Sequence, residues 1–90
     1  MSEIAHEVLE EIRRIARHEV EFDGPVERKS ALQSDLQLDS MSMVVVAVGL
    51  ENRFRVRLHE EDAKAVVTVG DLVDLVCRRV GEQVSSRRAT

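Results

Sequence analysis

Apolar residues return at helical spacing three times along the chain. Ile4, Val8, Ile12, Ile15 and Ala16 share one stripe, while Glu3, Glu7, Glu10, Glu11, Arg13, Arg14 and Arg17 fill the opposite face. A period near 3.6 with charge opposite predicts an amphipathic helix that runs to about Glu19, with Ser2 as its N-cap. The stretch that follows, EFDGPVERKSALQS, holds the only proline, Pro25, with a glycine before it. Its few apolar anchors are Phe22, Val26 and Leu32, so a long ordered loop is expected.

The second apolar run begins after Ser40. Its valine-rich core, MVVVAV, favours a strand by local propensity, but the spacing is helical. Val46, Leu50 and Phe54 fall at i, i+4 and i+8, Met41, Val44, Val45 and Val48 make a second stripe, and Asp39 is in place to cap the start. A helix over 40–53 with apolar side chains on two faces is predicted. Such a helix is either the centre of the domain or also meets a partner.

Beyond Phe54 the alternation in RVRLHEEDA suits a strand, yet no second strand is available to pair with it. A short helical turn over 61–66 is the better reading. Thr68 with Asp71 three positions on resembles a capping box and opens a last helix that buries Val69, Leu72, Val73, Val76 and Val80. The predicted fold class is all-α: a small four-helix bundle with a long first loop and a short third helix. Residues 1–80 form the domain, and the polar residues 81–90 form a flexible tail.

Composition narrows the function. Ninety residues make one domain with one core. Only two aromatic residues, both Phe, and a formal net charge of −4 argue against nucleic acid, which wants stacking platforms and cations. The longest uncharged run, 41–50, is far short of the ~20 residues of a transmembrane segment. The single cysteine cannot form an internal disulfide, and the charged N-terminus is unlike a signal peptide, so a cytoplasmic monomer is expected.

Enzyme templates find no support. His6, His18 and His59 are scattered, and nothing in the sequence sets one beside Ser40 or Cys77 as a base, so no catalytic residue is assigned. The run His59-Glu60-Glu61-Asp62 lacks the spaced ligands and glycine turn of a cation site, so no metal is expected. Cys77 lies among apolar neighbours and is expected to be a buried or half-buried, inert thiol. Ser40 stands out because a helix start offers unpaired N–H groups and the positive end of the dipole to an anion. By position alone an ordinary helix-start serine remains the commoner explanation.

From Leu32 on, LQSDLQLDSMSMVVVAVGLENRFRVRLHEEDAKAVVTVGDLVDLV resembles the acyl carrier protein family: an Asp-Ser-apolar core, an apolar helix ending in Phe, an acidic turn and a closing T-V-x-D-x-V-D-x-V. The resemblance implies that Ser40, preceded by the motif aspartate Asp39, carries a covalent 4'-phosphopantetheine arm whose thiol holds acyl groups as thioesters. A phosphopantetheinyl transferase would attach the arm from coenzyme A, and acyl-loading, elongating or transferring enzymes of fatty-acid, lipid or polyketide-type synthesis would be the other partners. The chain itself would be a substrate, not an enzyme. Its partner-facing residues would be Asp35, Met41, Val44, Val45, Val48 and Glu51.

The chain departs from that pattern in places. Met41 replaces Leu, and Gln37 stands where Gly is common. Residues 41–50 lack the acids that basic partner patches recognise, and Arg53, Arg55 and Arg57 follow. The electrostatic handle is thereby weakened and partly inverted, which implies a specialised carrier that serves a dedicated enzyme. A start at Met1 implies a free-standing carrier. A peptidyl or D-alanyl carrier, and an unmodified interaction module of the same fold, are the alternatives.

Overall fold

The computed structural model describes the backbone of residues 2–89 and the side chains of residues 3–59 and 61–82. Four helices follow in order: α1 Ser2–His18, α2 Ser40–Phe54, α3 Glu60–Ala65 and α4 Val69–Ala89. The architecture is the expected all-α bundle, and no strand occurs among the described residues. Only an isolated antiparallel bridge joins Ala31 to Thr68. Residues 81–89, expected as a tail, continue α4 in the backbone, while the side chains beyond 82, like the Ser2 cap, lie outside the described ones.

The core forms where the periodic stripes meet. Val8, Ile12, Ile15 and Ala16 of α1, Val46 and Leu50 of α2, and Val69, Leu72, Val73 and Val76 of α4 are all buried. Leu75 and Val56 join them. Three expected core positions are less covered. Ile4, in the first turn of α1, is exposed, and Val80, midway along α4, is only half-buried. Phe54 is half-buried too; it packs against the core, and the Arg53 guanidinium lies over its ring, 5.0 Å from the centroid.

The long first loop is a built element. Leu32, Leu36 and Leu38 are buried along with Val26, and Leu32 N–H donates to the Val67 carbonyl at 2.9 Å. Val69 and Gly70 N–H groups donate to the Ser30 and Arg28 carbonyls at 2.9 and 2.8 Å. These bonds pin the loop to the start of α4, so the chain enters α2 from a fixed point.

The capping expected from sequence is present at α4: Asp71 N–H donates to Thr68 Oγ1, and Thr68 N–H donates back to Asp71 Oδ2, both at 3.1 Å. Asp71 accepts from Val67 N–H as well, and these backbone donors hold its carboxyl below the ordinary range. Helix α3 begins with His59 N–H donating to Asp62 Oδ2 at 3.0 Å.

Candidate functional site

Three buried leucines bring the chain to Asp39. Leu38 N–H donates to the Leu32 carbonyl at 3.0 Å, and Asp35 folds back on its own turn, its Oδ2 accepting Ala31 N–H at 2.7 Å. Gln37 takes a positive φ of 58° to make the bend. Asp39 then sits in an extended conformation as the N-cap of α2, and its Oδ1 accepts Ser42 N–H at 2.8 Å. That donor, with the Ser42 hydroxyl, keeps the Asp39 carboxyl ionised to lower pH than an ordinary aspartate.

Ser40 is therefore the first residue of α2, and it is exposed. Its position suits an anion on the side chain. The oxygen is open to solvent, the backbone beneath it is fixed by a capped helix, and the first-turn N–H groups favour negative charge. Asp39 stays ionised in the cap, so its charge and the helix start together set the local field at Ser40.

The second stripe of α2 begins at that serine. Met41 is 78% exposed, Val44 59%, Val48 45% and Val45 39%, whereas Val46 and Leu50 on the other face are buried. The two faces read from spacing are thus separated as expected. Glu51 is different: its Oε2 accepts Leu58 N–H at 2.7 Å, so its carboxylate organises the loop after α2. Arg55 closes α2 in the left-handed conformation (φ 56°, ψ 46°) and donates its N–H to the Glu51 carbonyl.

Other chemistry is not assembled. His6, His18 and His59 are exposed, and among the described residues no three His, Cys, Asp or Glu side chains gather into a metal site. Cys77 is half-buried, and burial pushes its thiol pKa up, away from the thiolate a nucleophile needs. A hollow of about 250 Å³ lies between the end of α1 and the first loop, lined by Arg13, Arg17, Phe22, Pro25 and Val26, and does not include Ser40. Among the described residues no helix is long and apolar enough to cross a membrane.

Two features near the site were not read from the sequence. Leu36 and Leu38 anchor the approach to Ser40; the alternation in DLQLD was the available signal, and it is too short to separate loop from strand. Val67, 64% exposed, adds an apolar side chain at the α3–α4 junction, next to Val66, which packs against the core.

No protein-family model matches the chain. Among curated proteins, it is 34% identical over 77 residues to an acyl carrier protein of Tropheryma whipplei, covering 84% of this chain and 94% of the relative. It is 31% identical over 83 residues to an acyl carrier protein of Rhodococcus erythropolis, covering 92% of this chain and 85% of that one. Among solved structures, an acyl carrier protein from Thermotoga maritima superposes with a TM-score of 0.78 at 21% identity, over 88% of this chain and 93% of that chain. A putative acyl carrier protein from Mycobacterium tuberculosis gives 0.68 at 27% identity, over 82% and 95%.

Proposed function

The chain belongs to the acyl carrier protein family, and from that premise we propose that it carries acyl groups on a 4'-phosphopantetheine arm attached to Ser40, in fatty-acid, lipid or polyketide-type biosynthesis. The observation that carries this reading is the exposure of Ser40 as the first residue of α2, directly behind the capping Asp39. When attached, the arm supplies the thiol on which acyl groups ride as thioesters. The chain's own residues do the presenting. Asp39 fixes the helix start, the first turn accommodates the phosphate, and Met41, Val44 and Val48 offer apolar surface beside it.

In this role the protein is a substrate of other enzymes: a phosphopantetheinyl transferase first, then enzymes that load, elongate or transfer the acyl group. Residues 1–80 are the carrier unit, acting as a monomer in a reducing cytoplasm. Incubation with coenzyme A and a broad-specificity transferase is expected to add one arm to the wild type and none to Ser40→Ala, read by intact mass. An unchanged wild-type mass, with the same transferase active on another carrier, would overturn the proposal and leave an unmodified interaction module.

A further inference from the structure

The exposed face of α2 is graded from end to end. At its head lie Ser40 and two carboxylates, Asp35 and Asp39, each already accepting a backbone N–H. Its middle, Met41, Val44, Val45 and Val48, is apolar and exposed, with no charge anywhere in 41–50. Its far end carries Arg53, Arg55 and Arg57, all exposed.

Those three arginines are not equivalent. Arg53 is engaged: it lies 3.6 Å from the Glu7 carboxylate and stacks over Phe54. Arg55 and Arg57 flank the buried Val56, and among the described residues neither has a carboxylate within ion-pair distance. They are held by a fixed turn, because Arg55 is the left-handed cap of α2 and Leu58 N–H is tied to Glu51. Among the described residues, the cations here without an ion-pair partner are therefore Arg55 and Arg57; Arg55, at the end of α2, lies about 20 Å from Ser40 at 1.5 Å per residue of helix, and Arg57 follows just beyond the cap.

We infer that this face docks partner proteins whose contact surface is apolar at its centre and bears carboxylates about 20 Å from the point that receives Ser40; the inference rests on Ser40 being the site those partners approach. Carboxylates there would meet Arg55 and Arg57, whereas a basic surface would be repelled by them and would find acids on α2 and its lead-in only at Asp35, Asp39 and Glu51, each already accepting a backbone N–H. Rim charges of this kind act on encounter rate and on rejection of wrong partners. The apolar centre is small, which suits contacts that form and release. A second copy of this chain is the poorer occupant. Four side chains fall short of the roughly 800 Å² per partner of a stable interface, and an antiparallel pair of α2 helices would cover Ser40.

The probes are a ketosynthase with a basic docking surface and the same enzyme with the Lys and Arg of that surface changed to Glu. The chain without its arm, labelled at its N-terminus, is titrated with each and followed by fluorescence anisotropy. Wild type is expected to bind the acidic version about tenfold more tightly at low salt, with the difference shrinking as salt is added. Arg55→Glu with Arg57→Glu is expected to reverse the preference, and Val44→Glu with Val45→Glu to weaken binding to the acidic version. Circular dichroism confirms that each variant is folded, and Arg55→Gln with Arg57→Gln replaces the Glu pair if that pair is not. Equal binding to both probes, a preference for the basic one, or variants without effect would overturn the inference. So would a wild-type dimer in sedimentation equilibrium that Val45→Glu dissolves, which would assign the stripe to a second copy. Arm attachment is read separately by mass, so its failure would strike the carrier reading and leave the docking comparison intact.

Discussion

The Arg79 guanidinium donates to both oxygens of Asp62, each at 2.8 Å, and joins α3 to α4 across 17 residues of sequence. The pair is mostly covered, with side-chain exposures of 25% and 20%. Asp62 also accepts His59 N–H, so one carboxylate both starts the short helix and fastens it. A six-residue helix has little stability of its own, so this clasp decides whether α3 stays formed.

Arg79, and after it the His59 N–H, hold the Asp62 carboxyl below its ordinary value. A lowered folded pKa means that the contribution is present above the unfolded aspartate value near 3.9 and is lost as pH falls through the folded one. Protection factors of the amides in 60–65, each taken against the intrinsic exchange rate at that pH, are expected to hold between about pH 5 and 8 and to fall below about pH 4. Asp62→Asn should show fast exchange there across the whole range, with the protection of α1 and α4 unchanged. Unaltered exchange in Asp62→Asn would mean that packing alone holds α3.

The two faces of α2 predict opposite mutational behaviour. Leu50 is fully buried, so Leu50→Ala is expected to cost about 2–5 kcal/mol. Phe54 is only half-buried, and Phe54→Ala should fall below the ~3–5 kcal/mol of a fully enclosed ring. Val44→Ala, on the exposed stripe, should stay within about 0.5 kcal/mol by urea denaturation. A Val44→Ala loss that matched Leu50→Ala would exchange the assigned faces.

The legibility of this protein follows from how local each signal is. The α2 faces, the Asp39 cap and the Thr68–Asp71 box were readable because each depends on spacing within one or two turns. Phe54 shares the stripe of Val46 and Leu50 yet is only half-buried, because periodicity gives a direction and burial also needs a neighbour to close over the ring. The loop bonds Leu32–Val67 and Val69–Ser30 were not readable, since they pair residues far apart in the sequence; Leu36 and Leu38 sit in a local turn whose alternation is too short to identify. The exposure of Ser40 was expected from its helix start; the use of Glu51 as a loop acceptor was not, because nothing local separates a docking carboxylate from a structural one.

Helix α1 presses against α2 at Gly49, where an added Cβ would lie 2.6 Å from Ile15 Cδ1. Ile15 is buried, so the clash is not relieved by moving into solvent. Gly49→Ala gains up to ~1 kcal/mol of helix propensity and incurs about 1–3 kcal/mol of overpacking, so a modest net loss is expected. Ile15→Val removes the obstructing methyl, and on that background Gly49→Ala should become neutral or stabilising. A double-mutant cycle is expected to show coupling of at least about 0.5 kcal/mol. Additive effects would mean that Ile15 does not set the α1–α2 spacing.

Gln37 and Arg55 both occupy the left-handed region, with φ of 58° and 56°, one just before the α2 cap and one closing the helix. For a residue with a Cβ this conformation costs about 1–2 kcal/mol, and glycine avoids that at an entropic cost of roughly 0.5–1 kcal/mol in the unfolded chain. Gln37→Gly and Arg55→Gly are therefore each expected to stabilise by about 0.5–1 kcal/mol, additively, because they lie at opposite ends of α2. The two substitutions part company in function. Gln37→Gly keeps both docking cations, while Arg55→Gly removes one and should weaken binding to an acidic surface without loosening the fold. Denaturation midpoints that fall in either variant would show that the native side chain contributes contacts outweighing its backbone strain.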